Sequence, residues 1–235
     1  MSREKFVAEL KAFYETNGII PYKGFACKNQ EKCGITLEKH APGMQCHVGK
    51  HYGENCPKVL VVALDCGGGA QSIDARTETI EDVMNHPINL HMKGTLKTIR
   101  EFLKKSDTEC LKHYAMTNAC KCSWRDSTNQ LHYSFYQNCS TLKLREIEIL
   151  NPDVIFFQGK NALIDVAFSS DVKGVPTHLA PYIKYANING QKYLSVLCIH
   201  PSARFRHARK RIEFYDKTIV EIIDFIKDSR LCTKQ

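Results

Sequence analysis

Val59-Leu60-Val61-Val62-Ala63-Leu64 is an unbroken apolar run that stops at Asp65, and Gly67-Gly68-Gly69 follow one residue later. A strand with one wet face alternates apolar and polar residues. A strand that is apolar throughout is buried on both faces, as in a parallel sheet covered by helices on each side. The same form recurs along the chain. A strand near 113–117 runs into Asn118, "VIFFQ" at 154–158 is closed by Gly159, and "YLSVLCI" at 193–199 ends at His200-Pro201.

Helical patterns fill the intervals. Residues 3–17 place Phe6, Val7, Leu10, Phe13 and Tyr14 on one face and stop at Gly18. Leu96, Ile99, Phe102 and Leu103 mark a helix near 93–105, and Leu142, Ile147 and Leu150 one around 138–150. A short helix is expected at 160–168, and a closing helix from 207 to 227 carries Ile212, Tyr215, Ile219, Ile222 and Ile226. The expected class is therefore α/β: a single domain over 1–235 with a central parallel four-stranded sheet and helices on both faces.

Length and composition agree with this. The 235 residues suffice for one substantial core, and 43% hydrophobic with 25% charged residues is ordinary for a folded globule. The first residues are charged and amphipathic, unlike a signal peptide, and no apolar stretch approaches the roughly 18 residues of a membrane span. A cytoplasmic monomer with no membrane and no obligate protein partner is expected. The formal charge of +8 is uneven, with much of it in "RFRHARKR" at 204–211. That run suits a polyanionic partner or a solvated helix face.

Ligands of open parallel sheets bind beyond the carboxyl ends of the strands. At those ends stand Asp65 with its glycines, Thr117-Asn118, Gln158-Gly159 and His200-Pro201-Ser202. The glycine loop has neither the Gly-Lys-Ser/Thr ending of a P-loop nor the G-x-G-x-x-G spacing, which argues against a phosphate cradle. Singly, Asp65 and Asn118 could be turn formers and His200 a core histidine. Together they bring an acid, an amide and an imidazole to one crevice.

Eleven cysteines point to metal or cluster ligation in a reducing compartment. Cys198 lies in an apolar strand and Cys232 in the tail; Cys27, Cys33, Cys46, Cys56, Cys120, Cys122 and Cys139 are the informative ones. Several fall in the irregular segment 19–57, rich in Cys, His, Gly and Lys, which needs an organiser such as a bound metal to be ordered.

The segments "KVLVVALDCGG", "YAMTNACKCSW", "NCSTLKLREIEILNPDVIFFQGKNAL" and "LCIHPSARFR", in that order, resemble the uracil-DNA glycosylase superfamily, and within it the branch that carries an iron–sulfur cluster. The resemblance covers about residues 58–206. It implies a glycosylase that binds duplex or single-stranded DNA, flips a pyrimidine and hydrolyses its N-glycosidic bond. It implies that Asp65 orients or activates water, Asn118 reads the base edge and His200 contacts the departing base. It also implies a [4Fe-4S] cluster on two early cysteines, Cys122 and Cys139. Cys27 and Cys33 are the early pair, with Cys46, Cys56 or Cys120 as substitutes. Structural zinc on some of Cys27, Cys33, Cys46 and Cys56 with His40, His47 or His51 is the rival. In Ser202-Ala203-Arg204-Phe205-Arg206, the resemblance puts Phe205 or Arg204 in the space of the flipped nucleotide. Arg206, Arg209 and Arg211 then face phosphates. The alternative has Phe205 packed under the last helix.

The chain also departs from the family. The first motif, Gly-Glu-Ala-Pro-Gly in the iron–sulfur branch and Gly-Gln-Asp-Pro-Tyr in the best-known one, is Ala63-Leu64-Asp65-Cys66-Gly67 here. Cys66 and Gly67 take the place of the proline and of side chains that guard the pyrimidine 5-position. Ile88, after Pro87, takes the place of a base-stacking phenylalanine. Each change widens the pocket, so the expected substrate is a 5-substituted pyrimidine, including hypermodified bases of foreign or phage DNA. Ordinary uracil repair is one alternative, and a non-catalytic, cluster-containing nucleic-acid-binding module is another. No lysine stands at a matched motif position, so no lyase step is expected.

Overall fold

The computed structural model describes residues 2–21, 27–41, 43–54, 56–65, 71–85, 90–126 and 131–231, with the backbone alone at 81–85, 90 and 206. Helix α1 (Arg3–Asn17) is followed by one turn, α2 (Gln30–Cys33), and two short strands, β1 (His40–Ala41) and β2 (His47–Val48). Next come β3 (Val59–Ala63), α3 (Ile73–Asn85), α4 (Leu90–Leu103), α5 (Asp107–Lys112), β4 (Tyr114–Asn118) and β5 (Ser123–Trp124). The second half runs α6 (Tyr133–Asn138), α7 (Ser140–Leu150), β6 (Val154–Gln158), β7 (Ala167–Ser169), β8 (Ile183–Ile188), β9 (Gln191–Cys198), α8 (Ala208–Glu213) and α9 (Ile219–Asp228).

The sheet has seven strands in the order β2-β4-β3-β6-β9-β8-β7. Its four middle strands, β4-β3-β6-β9, are mutually parallel. Every residue of β3, β4 and β6 is buried. The pleat divides them between two cores: Leu60, Val62, Ile155 and Phe157 pack with Leu10 and Tyr14 of α1 and Ile147 and Leu150 of α7. Val59, Val61, Val154 and Phe156 pack with Ile99 of α4 and Ile222 and Ile226 of α9. Helices on both faces explain why these strands carry no polar alternation. Among the described residues no helix is long and apolar enough to cross a membrane.

The expected four-stranded parallel sheet is thus the core of a wider, mixed one. β2 pairs antiparallel on the outside of β4, and β8 and β7 extend the other side antiparallel to β9. β8 and β9 form a hairpin through Asn189 (φ 47°) and Gly190 (φ 82°), both left-handed, which close the Ile188–Gln191 pair. Such a two-residue turn matches the strand twist and favours Asn-Gly, the signal that marks this hairpin in the sequence. The helix expected at 160–168 is one 3-10 turn, Lys160–Leu163, after which the chain extends into β7. Short apolar runs such as Val166-Ala167-Phe168 fit either period, and pairing with β8 decides this one. The helix expected at 138–150 is two helices that meet at Cys139, and the closing helix contains a π-turn at Phe214–Thr218. α3 and α5 were not anticipated. Within segment 19–57, backbone pairing supplies part of the order, through β2 on β4 and β1 on β5.

Candidate active site and cysteine pocket

The four parallel strands end together. Ala63 is level with Asn118, and Gln158 with Cys198. The β3–β4 ladder continues past the strands, with Ala119 N–H on Ala63 O (2.8 Å) and Cys120 N–H on Leu64 O (2.9 Å). Asp65, Asn118 and His200 therefore share one edge. Gly159 closes the gap beside them: its φ of +97° suits glycine, and a Cβ there would lie 3.1 Å from His200 Cβ and 3.4 Å from Leu64 Cδ2.

Asp65 is half-buried, and its Oδ2 accepts the Tyr136 hydroxyl at 3.2 Å. Burial, and then the Asp65 charge, push the Tyr136 phenol up, so it stays a protonated donor. Asn118 is buried, with its Nδ2 donating to Asp65 O at 2.7 Å and its Oδ1 accepting from Arg76 Nη2 at 2.5 Å.

His200 has a defined tautomer. Its Nδ1 accepts the Ser202 backbone N–H at 3.3 Å and lies 3.1 Å from Ser202 Oγ. A backbone N–H can only donate, so the ring proton sits on Nε2. Burial, with His91 beside it, pushes the His200 pKa down to about 4. Burial also lowers His91, whose Nε2 donates to Gln158 Oε1 at 2.9 Å. The result is a neutral imidazole presenting N–H.

The loop after His200 is braced at both ends. Tyr215 OH donates to Ile199 O at 2.7 Å, and Arg211 Nη1 to Ala203 O at 2.9 Å. Arg211 thus holds the loop instead of standing clear for a phosphate, whereas Arg204 and Arg209 are exposed. Phe205 is not under the last helix. It is 92% exposed and has φ +52°, an uncommon conformation for a large side chain. The side chain of Arg206 lies outside the described residues, as do Cys66, Gly67 and Ile88 entirely.

Behind the crevice, Cys27, Cys33, Cys122 and Cys139 line one pocket that is partly open to solvent. Cys139 reaches it from the α6–α7 junction and Cys122 from the turn after β4. Asn138 Nδ2 donates to Cys33 Sγ (3.2 Å) and Asn29 N–H to Cys27 Sγ (3.5 Å). Cys120 Sγ lies 3.6 Å from Cys122 Sγ and 3.8 Å from Cys139 Sγ. The substitutes Cys46 and Cys56 are elsewhere, Cys46 fully buried with its N–H on Tyr14 OH and Cys56 against His113. His47 is turned to Thr77 and Leu111, His51 to Glu54, and His40 packs on Trp124. Among the described residues no three Cys, His, Asp or Glu side chains are grouped to hold a single metal ion.

A buried ion pair joins the two regions. Lys121, between Cys120 and Cys122, gives Nζ to Glu146 Oε2 (2.5 Å), Thr117 Oγ1 (2.6 Å) and Asn118 O (2.7 Å). Tyr14 OH donates to the other Glu146 oxygen. Helix α1, the end of β4, the cysteine turn and α7 are thereby tied at one point. Sequence reasoning missed Arg76, His91 and Tyr136, which sit on helices and carry no local motif.

Compared with known proteins, the chain matches no family model, and no curated protein matches it by sequence.

Proposed function

We propose that this chain is a monofunctional DNA glycosylase that hydrolyses the N-glycosidic bond of a flipped pyrimidine. The observation that carries the reading is the meeting of Asp65, Asn118 and a neutral, Nε2-protonated His200 at one sheet edge. As the bond from C1′ to the base breaks, its electron pair leaves with the base and the sugar becomes cationic. The Asp65 carboxylate, steadied by Tyr136, stabilises the sugar and positions water; the water adds to C1′ and gives its proton to that carboxylate, from which it is lost to solvent or to the departed base. His200 Nε2–H donates to an oxygen of the departing base, and such a pre-aimed donor contributes about 3–4 kcal/mol. Neutrality suits this role, because a donor that keeps its proton need not recover one. Asn118 binds the base edge.

Exposed Phe205, on a loop fixed by Arg211 and Tyr215, fits a wedge that fills the space of the flipped nucleotide. Arg204, Arg206 and Arg209 serve phosphates. Four cysteines lining one pocket, from the chain before α2, the end of α2, the turn after β4 and the α6–α7 junction, suit a [4Fe-4S] cluster, which takes four thiolates on separate irons. Cys27, Cys33, Cys122 and Cys139 would hold it, and it would supply structural cross-linking of segment 19–57 to the core. Tetrahedral zinc would require the thiols to close around a single ion. The substrate reading, a base open at the 5-position, rests on Cys66, Gly67 and Ile88 in the sequence, with uracil repair as the alternative. Incubating wild type and Asp65→Ala with DNA panels, then cleaving abasic sites, tests the enzyme. Abasic sites made by wild type alone support it, and equal activity in both defeats it.

A further inference from the structure

The first turn of α4 meets the His200 loop at two points. At Gly94 a Cβ would lie 2.7 Å from Pro201 Cβ, closer than carbon atoms pack, so the helix backbone sits directly on residue 201. One turn earlier, the His91 ring lies parallel to the His200 ring, 3° apart in plane with centroids 5.4 Å apart, an offset stack.

His91 is itself tethered. Its Nε2–H donates to Gln158 Oε1 (2.9 Å), Gln158 Nε2 donates to Thr95 Oγ1 (3.0 Å), and Thr95 Oγ1 donates to the His91 carbonyl (3.0 Å). Gln158 and Thr95 are fully buried. These bonds form a closed circuit between α4 and the end of β6. Turning any member would leave a buried polar group unpaired, so the circuit holds the His91 ring in one orientation.

His200 has fewer holds of its own. Ser202 fixes which nitrogen carries the proton, but it meets a single ring atom, Nδ1, at 3.3 Å through its N–H and 3.1 Å through its hydroxyl. Gly159 limits the swing at the base of the side chain, where a Cβ would lie 3.1 Å from His200 Cβ and 3.3 Å from Cδ2. Neither sets the ring plane. A flat ring lying parallel does, because any tilt of one imidazole drives it into the other or opens a gap between them. The plane matters because a hydrogen bond weakens steeply once its donor points off line.

We propose that His91 is a positioning residue for His200: stacked on its ring and tethered to Gln158 and Thr95, it holds the plane in which His200 Nε2–H meets the departing base. The inference rests on the glycosylase reading above. The Nε2 proton of His91 is taken by Gln158, so His91 acts through His200 and not as a second donor from that nitrogen.

The test uses the full chain and separates the seat from the chemistry. With ¹³C-labelled histidines, the His200 Cδ2–H order parameter (assigned by its loss in His200→Ala) should fall by about a third or more in His91→Ala, as a rigid ring becomes mobile. An unchanged order parameter overturns the seat. On one uracil-containing single-stranded DNA, His91→Ala should lower kcat about tenfold or more and hold KM within about twofold, as loss of aim in the transition state does. His91→Phe keeps a flat face and should recover most of that loss; His91→Gln keeps an N–H for Gln158 but no ring, and should not. Recovery by glutamine and not by phenylalanine overturns the stack as the means. In a His200→Ala background, His91→Ala should change kcat by about twofold or less, because its target is gone. Additive losses would give His91 a role of its own and overturn the proposal. If His91→Ala does not fold, His91→Gln, which also lacks the ring, takes its place. A His200 ring loosened by His91→Ala in a protein whose wild type releases no pyrimidine would overturn the glycosylase reading, and the catalytic role of His91 with it, while the ring dynamics show that the seat did not fail.

Discussion

The imidazole rings of His91 and His200 lie parallel, 3° apart in plane with centroids 5.4 Å apart. Two stacked, half-buried imidazoles resist becoming charged together, and His200 is held down to about 4. The unfolded chain takes up this proton near 6.5, the folded protein only near 4. Stability is therefore full above pH 6.5 and falls as pH drops toward 4, by about 3 kcal/mol for this group. Thermal melts from pH 7 to 4 should show that fall, and His200→Gln should make it shallower, with the lowered His47, His91 and His113 keeping the rest. The same slope in wild type and variant would contradict the assigned state of His200.

Tyr136→Phe tests the support of Asp65. A hydrogen bond to a charged group contributes about 1.5–3 kcal/mol, so the rate of base release should drop roughly tenfold or more. The change should fall on kcat with substrate affinity preserved, because the Tyr136 hydroxyl bonds the Asp65 carboxylate. Steady-state kinetics on one substrate measure both. An unaltered kcat would remove Tyr136 from the mechanism.

Breaking the buried Lys121–Glu146 pair should be costly. Lys121→Met leaves Glu146 buried among Tyr14 and Thr117 without its cation, and a loss of about 3–5 kcal/mol is expected by denaturant unfolding. Losing both charges together in Lys121→Met/Glu146→Leu should cost less than the single change.

Purified protein should be brown, with iron–sulfur absorption in the visible, and Cys122→Ala or Cys139→Ala should bleach it and lower its melting temperature. Colourless protein with stoichiometric zinc would exchange the cluster for zinc and leave the proposed glycosylase function standing.

Phe205 separates DNA engagement from folding. The side chain is 92% exposed, so Phe205→Ala should leave stability within about 0.5 kcal/mol. Base release from duplex should fall far more than from single strands, which have little stacking to break. Equal losses on both substrates would contradict the wedge.

The parallel core was legible because both-face burial leaves one kind of strand, and each of the four runs is that kind. That Asp65, Asn118 and His200 stand at one edge was legible for the same reason, since the ends of such strands are level. The antiparallel extension was legible only in Asn189-Gly190, as β8 alternates too weakly to announce itself. Arg76, His91 and Tyr136 could not be found that way. They come from helices, where a polar residue reads as solvent-facing until the tertiary fold turns it inward. Cys27 lies outside any helix or strand and Cys33 ends the one-turn helix α2, too short to show a periodicity, and their pairing with Cys122 and Cys139 came from the family resemblance.

The central claim is that Asp65 and His200 drive release of a pyrimidine from DNA. Mass spectrometry of free bases released from uracil-containing, ordinary and phage-type modified DNA measures it most directly. Wild type should release a pyrimidine, including one with a bulky 5-substituent at a rate at least comparable to uracil, and Asp65→Ala and His200→Ala should each lose about a hundredfold or more. No released pyrimidine from any of these DNAs, with DNA binding intact, would contradict the account and leave a nucleic-acid-binding module.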